Sequence, residues 1–69
     1  MITWCEHPNY SGITIASAGP AKFEIQKGVG ADWAVSLYVP GDNYGILRDP
    51  DIEVCKRFCA WVARAMNWV

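Results

Sequence analysis

Residues 49–69 read DPDIEVCKRFCAWVARAMNWV, and their apolar side chains recur with the period of an α-helix. Asp49 suits the N-cap, Pro50 suits the first helical position, and Asp51 adds negative charge to the first turn. At about 100° per residue, the apolar side chains cover roughly 200° of the helix surface, whereas a helix on one sheet needs little over about 100°. We therefore predict a helix over 49–69 with more apolar surface than one sheet covers.

The surplus apolar edge is led by Trp61 and Trp68, which are one heptad apart, with Val54 beside them. It is covered by the first strand or the loop around Tyr10, by a second copy of the chain, or by a partner. An exposed apolar patch on a soluble protein marks an interface. A homodimer through this edge would also enlarge the small core that a chain of 69 residues can build.

Upstream of the helix, apolar and polar residues alternate in short runs separated by turn formers. The clearest run is 21–27, in which we expect Phe23 and Ile25 to face the core. The other predicted strands are 2–7, 13–17, 33–39 and 44–47. This order predicts a single α+β domain, in which an antiparallel β-meander of four or five strands (1–48) packs against one C-terminal α-helix (49–69).

Composition and charge restrict the possible functions. The net charge is −1 and the chain has only six Lys and Arg residues, which argues against binding dominated by nucleic-acid phosphates. No apolar run approaches the roughly 20 residues of a membrane span, and no secretory signal is visible. Because the three cysteines are an odd number and no signal precedes them, we expect a cytoplasmic protein with free thiols.

The cysteines and the single histidine are the candidate metal ligands. Cys5 and His7 share one face of the first predicted strand, and Cys55 and Cys59 lie one helical turn apart. Zinc accepts a Cys₃His set, but these spacings differ from compact zinc knuckles, and the helix cysteines lie within the apolar arc. We expect buried thiols and no metal or other cofactor. The alternative is a small zinc-stabilised module that binds nucleic acid.

No residue pattern specifies catalysis. A cysteine nucleophile would need His7 together with an orienting group, and His7 stands at a strand end, where a surface histidine is typical. The segment 28–30, Gly-Val-Gly, is followed by a strand rather than by a phosphate-binding helix. Lys56, Arg57 and Arg64 are typical of a solvated helix face. We expect neither an enzyme nor a nucleic-acid partner.

The layout resembles the small accessory proteins of bacteriophages and mobile elements, among which anti-CRISPR proteins are the best-known group. The resemblance spans about residues 21–69. It lies in the strand 33–39, the turn 40–43, and the path from Tyr44 through Asp49 into an Ala- and Trp-rich terminal helix. It implies a non-enzymatic inhibitor that sterically blocks a multi-subunit bacterial complex. No functional residue is carried over from it.

These observations together predict a protein-interaction module. Aromatic side chains would anchor the partner, and an acidic cluster would face a basic groove on it. The predicted partner-binding residues are Val54, Trp61 and Trp68 on the helix edge, Tyr38 and Tyr44 on the sheet, and Asp42, Asp49 and Asp51 in the acidic cluster.

Overall fold

A computed structural model describes residues 2–28 and 30–69 and confirms the predicted α+β architecture. In this part of the chain, five strands form one antiparallel sheet in the order β1-β2-β3-β4-β5, and one helix follows them. The elements are β1 (Cys5–Glu6), β2 (Ile13–Ala18), β3 (Ala21–Lys27), β4 (Trp33–Val39), β5 (Asp42–Asp49) and α1 (Ile52–Ala65). Every strand pairs with the next along the chain, which is the predicted meander.

The alternation of β3 decides which face of the sheet is buried. Phe23 and Ile25 are fully buried, as predicted, and their partners on the neighbouring strands, Ala16 and Val35, are buried with them. We call this the helix-side face, because α1 lies across β3, β4 and β5 on it. Glu24 points to the opposite side, which we call the open face. Successive side chains of a strand alternate between the two faces.

Two strands differ in length from the prediction. Of the predicted strand 2–7, only Cys5 and Glu6 form β1, and the His7 N–H donates to the Ile13 carbonyl at 2.8 Å just beyond it. Ile2 and Trp4 pack on the core through their side chains. β5 is longer than the predicted 44–47 and contains a bulge. Val35 pairs with Leu47 and Ser36 pairs with Gly45, so one extra residue of β5 lies between these partners.

The helix begins later than predicted, because Asp51 rather than Asp49 is its N-cap. The Asp51 Oδ1 accepts a hydrogen bond from the Glu53 backbone N–H at 2.9 Å, and the Asp51 backbone is extended. The Asp49 Oδ1 accepts from the Asp51 backbone N–H at 2.9 Å. The two aspartates therefore form consecutive turns, and Pro50 lies before the cap instead of inside the first turn.

The helix also ends earlier than predicted, at Ala65 rather than Val69. Asn67 adopts the left-handed conformation, with φ at 62°. The Asn67 N–H donates to the Arg64 carbonyl at 3.1 Å, and the Trp68 N–H donates to the Ala63 carbonyl at 2.8 Å. This pattern is a Schellman motif, and it turns the chain back over the sheet before residue 68.

Val29, in the middle of the Gly-Val-Gly connection before β4, lies outside the described residues. The flanking residues close a turn in which the Gly28 N–H donates to the Asp32 carbonyl at 2.9 Å. β4 begins directly after this turn, so a strand follows the connection as predicted.

Candidate protein-interaction surface

The helix α1 has two opposite stripes. Cys55, Cys59 and Ala63 form the inner stripe, and all three are fully buried against the sheet. Trp61 lies two residues from Ala63 in sequence and therefore about 200° away around the helix. Its side chain is 62% exposed, which is an unusual position for a residue of this size.

Trp61 is held in place by a neighbour on the same helix. Its ring stacks on Phe58, with ring centroids 6.1 Å apart and an angle of 26° between the planes. Val54 lies one turn before Phe58, and both of these side chains are half-buried. The half-buried helix residues that pack against the core are instead Ile52 and Val62. We call Val54, Phe58 and Trp61 the apolar flank.

Trp68 belongs to the core rather than to this flank. Its ring centroid lies 6.3 Å from that of Phe23, and it packs against the buried cluster. The backbone of Gly19, at φ +54°, approaches so closely that a Cβ there would lie 3.2 Å from the Trp68 Cβ. The Schellman motif at the helix end explains this placement. The structure therefore separates two tryptophans that the sequence analysis placed on one edge.

The described N-terminal residues and the Tyr10 loop lie where they leave Trp61 exposed. Tyr10 is 62% exposed, and its ring contacts His7 at a centroid distance of 5.0 Å. Ile2 and Trp4 pack against the core on the side of the helix that carries Ala60. Ala60 lies about 100° from Trp61 around the helix and further from Phe58. Within the described residues, the first strand and the Tyr10 loop therefore leave Trp61 exposed.

The two predicted tyrosine anchors lie on opposite faces of the sheet. Tyr44 pairs with Leu37 on the helix-side face of edge strand β5 and is 50% exposed. Tyr38 lies on the open face and is half-buried, with the Lys22 Nζ 5.9 Å from its ring centroid. Only Tyr44 therefore shares a side of the molecule with the apolar flank.

The predicted acidic cluster is not assembled. Asp42 begins β5 and Asp49 ends it, so the length of the strand separates them by about 20 Å. Asp49 and Asp51 remain neighbours at the helix start, where each accepts a backbone hydrogen bond. These two carboxylates are explained by the geometry of the turn.

Two positive charges flank Trp61, and these residues were predicted to belong to a solvated helix face rather than to the partner-binding set. Arg57 precedes Trp61 by four residues and Arg64 follows it by three, so the three side chains form an exposed outer stripe on α1. Within the described residues, neither guanidinium lies within 4.0 Å of a carboxylate. The Glu53 carboxylate lies 3.7 Å from the Lys56 Nζ instead. The i, i+4, i+7 spacing of Arg57, Trp61 and Arg64 is the sequence signal that could have identified this stripe.

A pocket of about 480 Å³ opens beside the outer stripe. Among the described residues that line it, Arg64 is charged and the others are apolar: Ile2, Trp4, Ala60 and Val69. Trp4 connects this lining to the core, since its ring centroid lies 6.5 Å from that of Phe23. The described lining therefore combines an apolar surface with one guanidinium group.

The structure does not bring the candidate metal ligands together. Cys5 is exposed and pairs with Ile15, whose other partner is Glu24, so it lies on the open face. Cys55 and Cys59 are buried on the other side of the sheet, under the helix. The described residues contain no group of three or more His, Cys, Asp or Glu side chains that could hold a metal ion.

The environments of these side chains also explain their chemistry. Burial raises the pKa of the Cys59 thiol to about 12, and Cys55 adds a smaller contribution. Burial, followed by the nearby carboxylates of Asp49 and Asp51, raises the pKa of Cys55. Thiols whose pKa is raised are poor nucleophiles and poor metal ligands at neutral pH, because the thiolate is the reactive form. His7 accepts the Asn9 backbone N–H at its Nδ1, 3.0 Å away, in the turn after β1.

Comparisons with protein-family models, with curated proteins and with solved structures gave no match for this chain. Among the described residues, no helix has the length and apolar character that crossing a membrane requires. A functional proposal therefore rests on the surface of the chain itself.

Proposed function

We propose that this chain is a non-enzymatic protein-interaction module that docks its partner on the outer side of α1, with Trp61 as the central anchor. The observation that carries the proposal is an exposed tryptophan held against Phe58, with Val54 beside it. Tryptophan is the residue most enriched in binding hot spots. A ring already held by its neighbour loses little conformational freedom on binding.

The exposure of Trp61 is costly for a domain of this size. A tryptophan buries on the order of 200 Å² in a core or interface, and at about 25 cal/mol per Å² the exposed part represents roughly 3 kcal/mol of unused hydrophobic stabilisation. A small domain gains every such contribution it can from its core. The exposed ring is better explained as a contact surface for another molecule than as part of the fold.

The inhibitor function that the resemblance implies stays a prediction. In that proposal the module blocks a multi-subunit bacterial complex by occupying its surface, and needs no cofactor or catalytic residue. The chemistry of the outer stripe supports the docking mode. The identity of the partner is the subject of the experiment.

The experiment is capture of partners from a lysate of the organism that encodes the chain, with the purified protein as bait and mass spectrometry as the readout. Trp61→Ala is the test variant. We expect wild-type protein to retain one complex and Trp61→Ala to lose it. A hot-spot residue contributes about 2 kcal/mol or more, which corresponds to roughly thirtyfold in the dissociation constant measured by calorimetry with the purified complex.

Tyr10→Ala is the matched control, because Tyr10 is an aromatic residue with the same 62% exposure in a different part of the molecule. This variant should retain the complex. Circular dichroism confirms that both variants are folded. Equal capture by wild type and a folded Trp61→Ala, or loss of the complex with Tyr10→Ala alone, would contradict the proposal.

A further inference from the structure

We infer that the partner presents an acidic amphipathic segment to α1, with carboxylates facing Arg57 and Arg64 and an apolar side chain inserted into the groove beside Arg64. This inference rests on the proposed function and specifies the chemistry of the partner. It reverses the polarity predicted from the sequence, in which acidic residues of this chain would face a basic groove.

The positive charge of the outer stripe favours an acidic partner. Arg57 and Arg64 are about 10 Å apart along the helix axis, with Trp61 between them. Both side chains are exposed, and among the described residues neither has a carboxylate within 4.0 Å. Guanidinium groups bind carboxylates in bidentate geometry, especially where an adjacent apolar contact excludes water. Two such groups around a hot-spot tryptophan select a negatively charged partner.

The groove that Arg64 borders favours a partner with an apolar side chain next to an acidic one. Ala60 lies one turn before Arg64 and presents only a methyl group, while Ile2 and Trp4 supply an apolar opposite wall. A volume of about 480 Å³ accommodates a large apolar side chain. A segment with an apolar residue next to an acidic one can therefore fill the groove and pair with Arg64 at the same time.

The same charges disfavour a second copy of the chain as the occupant. If two copies of α1 packed antiparallel around Trp61, Arg57 of one copy would lie beside Arg64 of the other, and this would occur twice by symmetry. Like charges brought together at an interface cost binding energy. The nearest acids have other partners, since Asp49 and Asp51 accept backbone hydrogen bonds at the helix start and the Glu53 carboxylate lies 3.7 Å from the Lys56 Nζ.

The experiment uses two fluorescein-labelled amphipathic peptides and fluorescence anisotropy. One peptide carries Leu and Trp on one helical face with Glu along both borders, and the other has Lys at every Glu position. We expect wild-type protein to prefer the Glu peptide by at least about tenfold at low salt, with affinity that falls as salt rises. The double reversal Arg57→Glu/Arg64→Glu should invert this preference. Ala60→Leu, which fills the groove, should weaken the Glu peptide by about tenfold without inverting it.

Arg48→Glu is the control for the reversal, because it makes the same Arg→Glu substitution at a single position on the open face, opposite Ala34. It should leave the preference unchanged. Absence of binding to the Glu peptide, equal binding of both peptides, or no effect of the double reversal would overturn the inference. An oligonucleotide that displaces the Glu peptide, or a dimer through α1 in sedimentation, would assign the stripe to another occupant and also overturn it.

The two proposals fail in different ways. If Trp61→Ala loses the captured complex and the double reversal keeps it, the docking surface stands and the acidic partner is wrong. If neither variant affects capture, the docking surface itself is wrong.

Discussion

The inner and outer stripes of α1 lie on the same helix but face different surroundings. The inner stripe contacts the sheet, and the outer stripe faces solvent. The inner stripe, Cys55, Cys59 and Ala63, consists of small side chains, all fully buried against the sheet. The outer stripe, Arg57, Trp61 and Arg64, consists of large side chains, all exposed. Small residues let the helix approach the sheet closely, as dense packing requires. Large exposed residues contribute little to that packing and leave apolar and charged area at the surface.

The difference shows that the small side chains of these two stripes are the buried ones and the large side chains are the exposed ones. A core built around Phe23, Ile25 and Val35 already supplies the bulk on the sheet side, so the helix contributes thiols and a methyl group. The largest side chain of α1 is therefore placed away from the core. The proposed function places stability and binding on separate stripes, and each stripe can be tested by substitution without disturbing the other.

The largest effect is expected for a charge placed in the inner stripe. Ala63→Glu buries a carboxylate with no partner, which costs at least about 4 kcal/mol. That is comparable to the whole unfolding free energy of a small domain, about 0.05–0.15 kcal/mol per residue. We expect Ala63→Glu to be unfolded by circular dichroism at 25 °C.

Ala65→Glu is the control for this prediction, since Ala65 is an exposed residue of the same helix. It should lower the unfolding free energy in urea by only about 0.5 kcal/mol, through the unfavourable charge at the helix C-terminus. A cooperative urea transition of Ala63→Glu at the wild-type midpoint would show that the inner stripe is not the packed surface.

The second effect compares the two tryptophans. Trp68→Ala removes the contacts with Phe23 and Gly19 and should lower the unfolding free energy by about 3 kcal/mol. Trp61→Ala should change it by about 0.5 kcal/mol or less, because the ring is exposed and Ala favours the helix. The measurement is urea unfolding followed by circular dichroism at 222 nm. Equal destabilisation by the two substitutions would mean that Trp61 also supports the fold.

The fold was predictable because its signals are local. Alternation identified β3 with its buried residues Phe23 and Ile25 and gave the bounds of β4, and turn formers separated the strands. The wide apolar arc indicated correctly that α1 carries more apolar surface than the sheet covers. The predicted helix bounds were wrong because each bound depends on the conformation of one residue. Asp51 rather than Asp49 caps the start, and Asn67 takes a positive φ at the end.

The candidate site was predictable only in part, because a helical projection assumes that the helix continues. Trp61 lies within α1 and is exposed, in keeping with its predicted place on the surplus edge. Trp68 lies beyond Asn67, so the projection does not apply to it. Asp42 and Asp49 are near in sequence, but an extended strand separates them. The partner role of Val54, Trp61 and Tyr44 stays a prediction.

The smallest predicted effect is a decrease in the unfolding free energy at alkaline pH, and it concerns the inner stripe alone. The pKa of Cys59 is raised to about 12 by burial, whereas a thiol in the unfolded chain has a pKa of about 8.5. Below the unfolded value both states hold the proton, and this contribution to stability is complete. As pH rises from about 8.5 towards 12, only the unfolded chain releases the proton, so the unfolding free energy falls. Urea unfolding between pH 8 and pH 10.5 should therefore show a smaller decrease for Cys59→Ala than for wild type. Cys5→Ala, which removes an exposed thiol, should keep the wild-type decrease. Identical slopes of unfolding free energy against pH for all three proteins would contradict the assignment of Cys59 to the buried stripe.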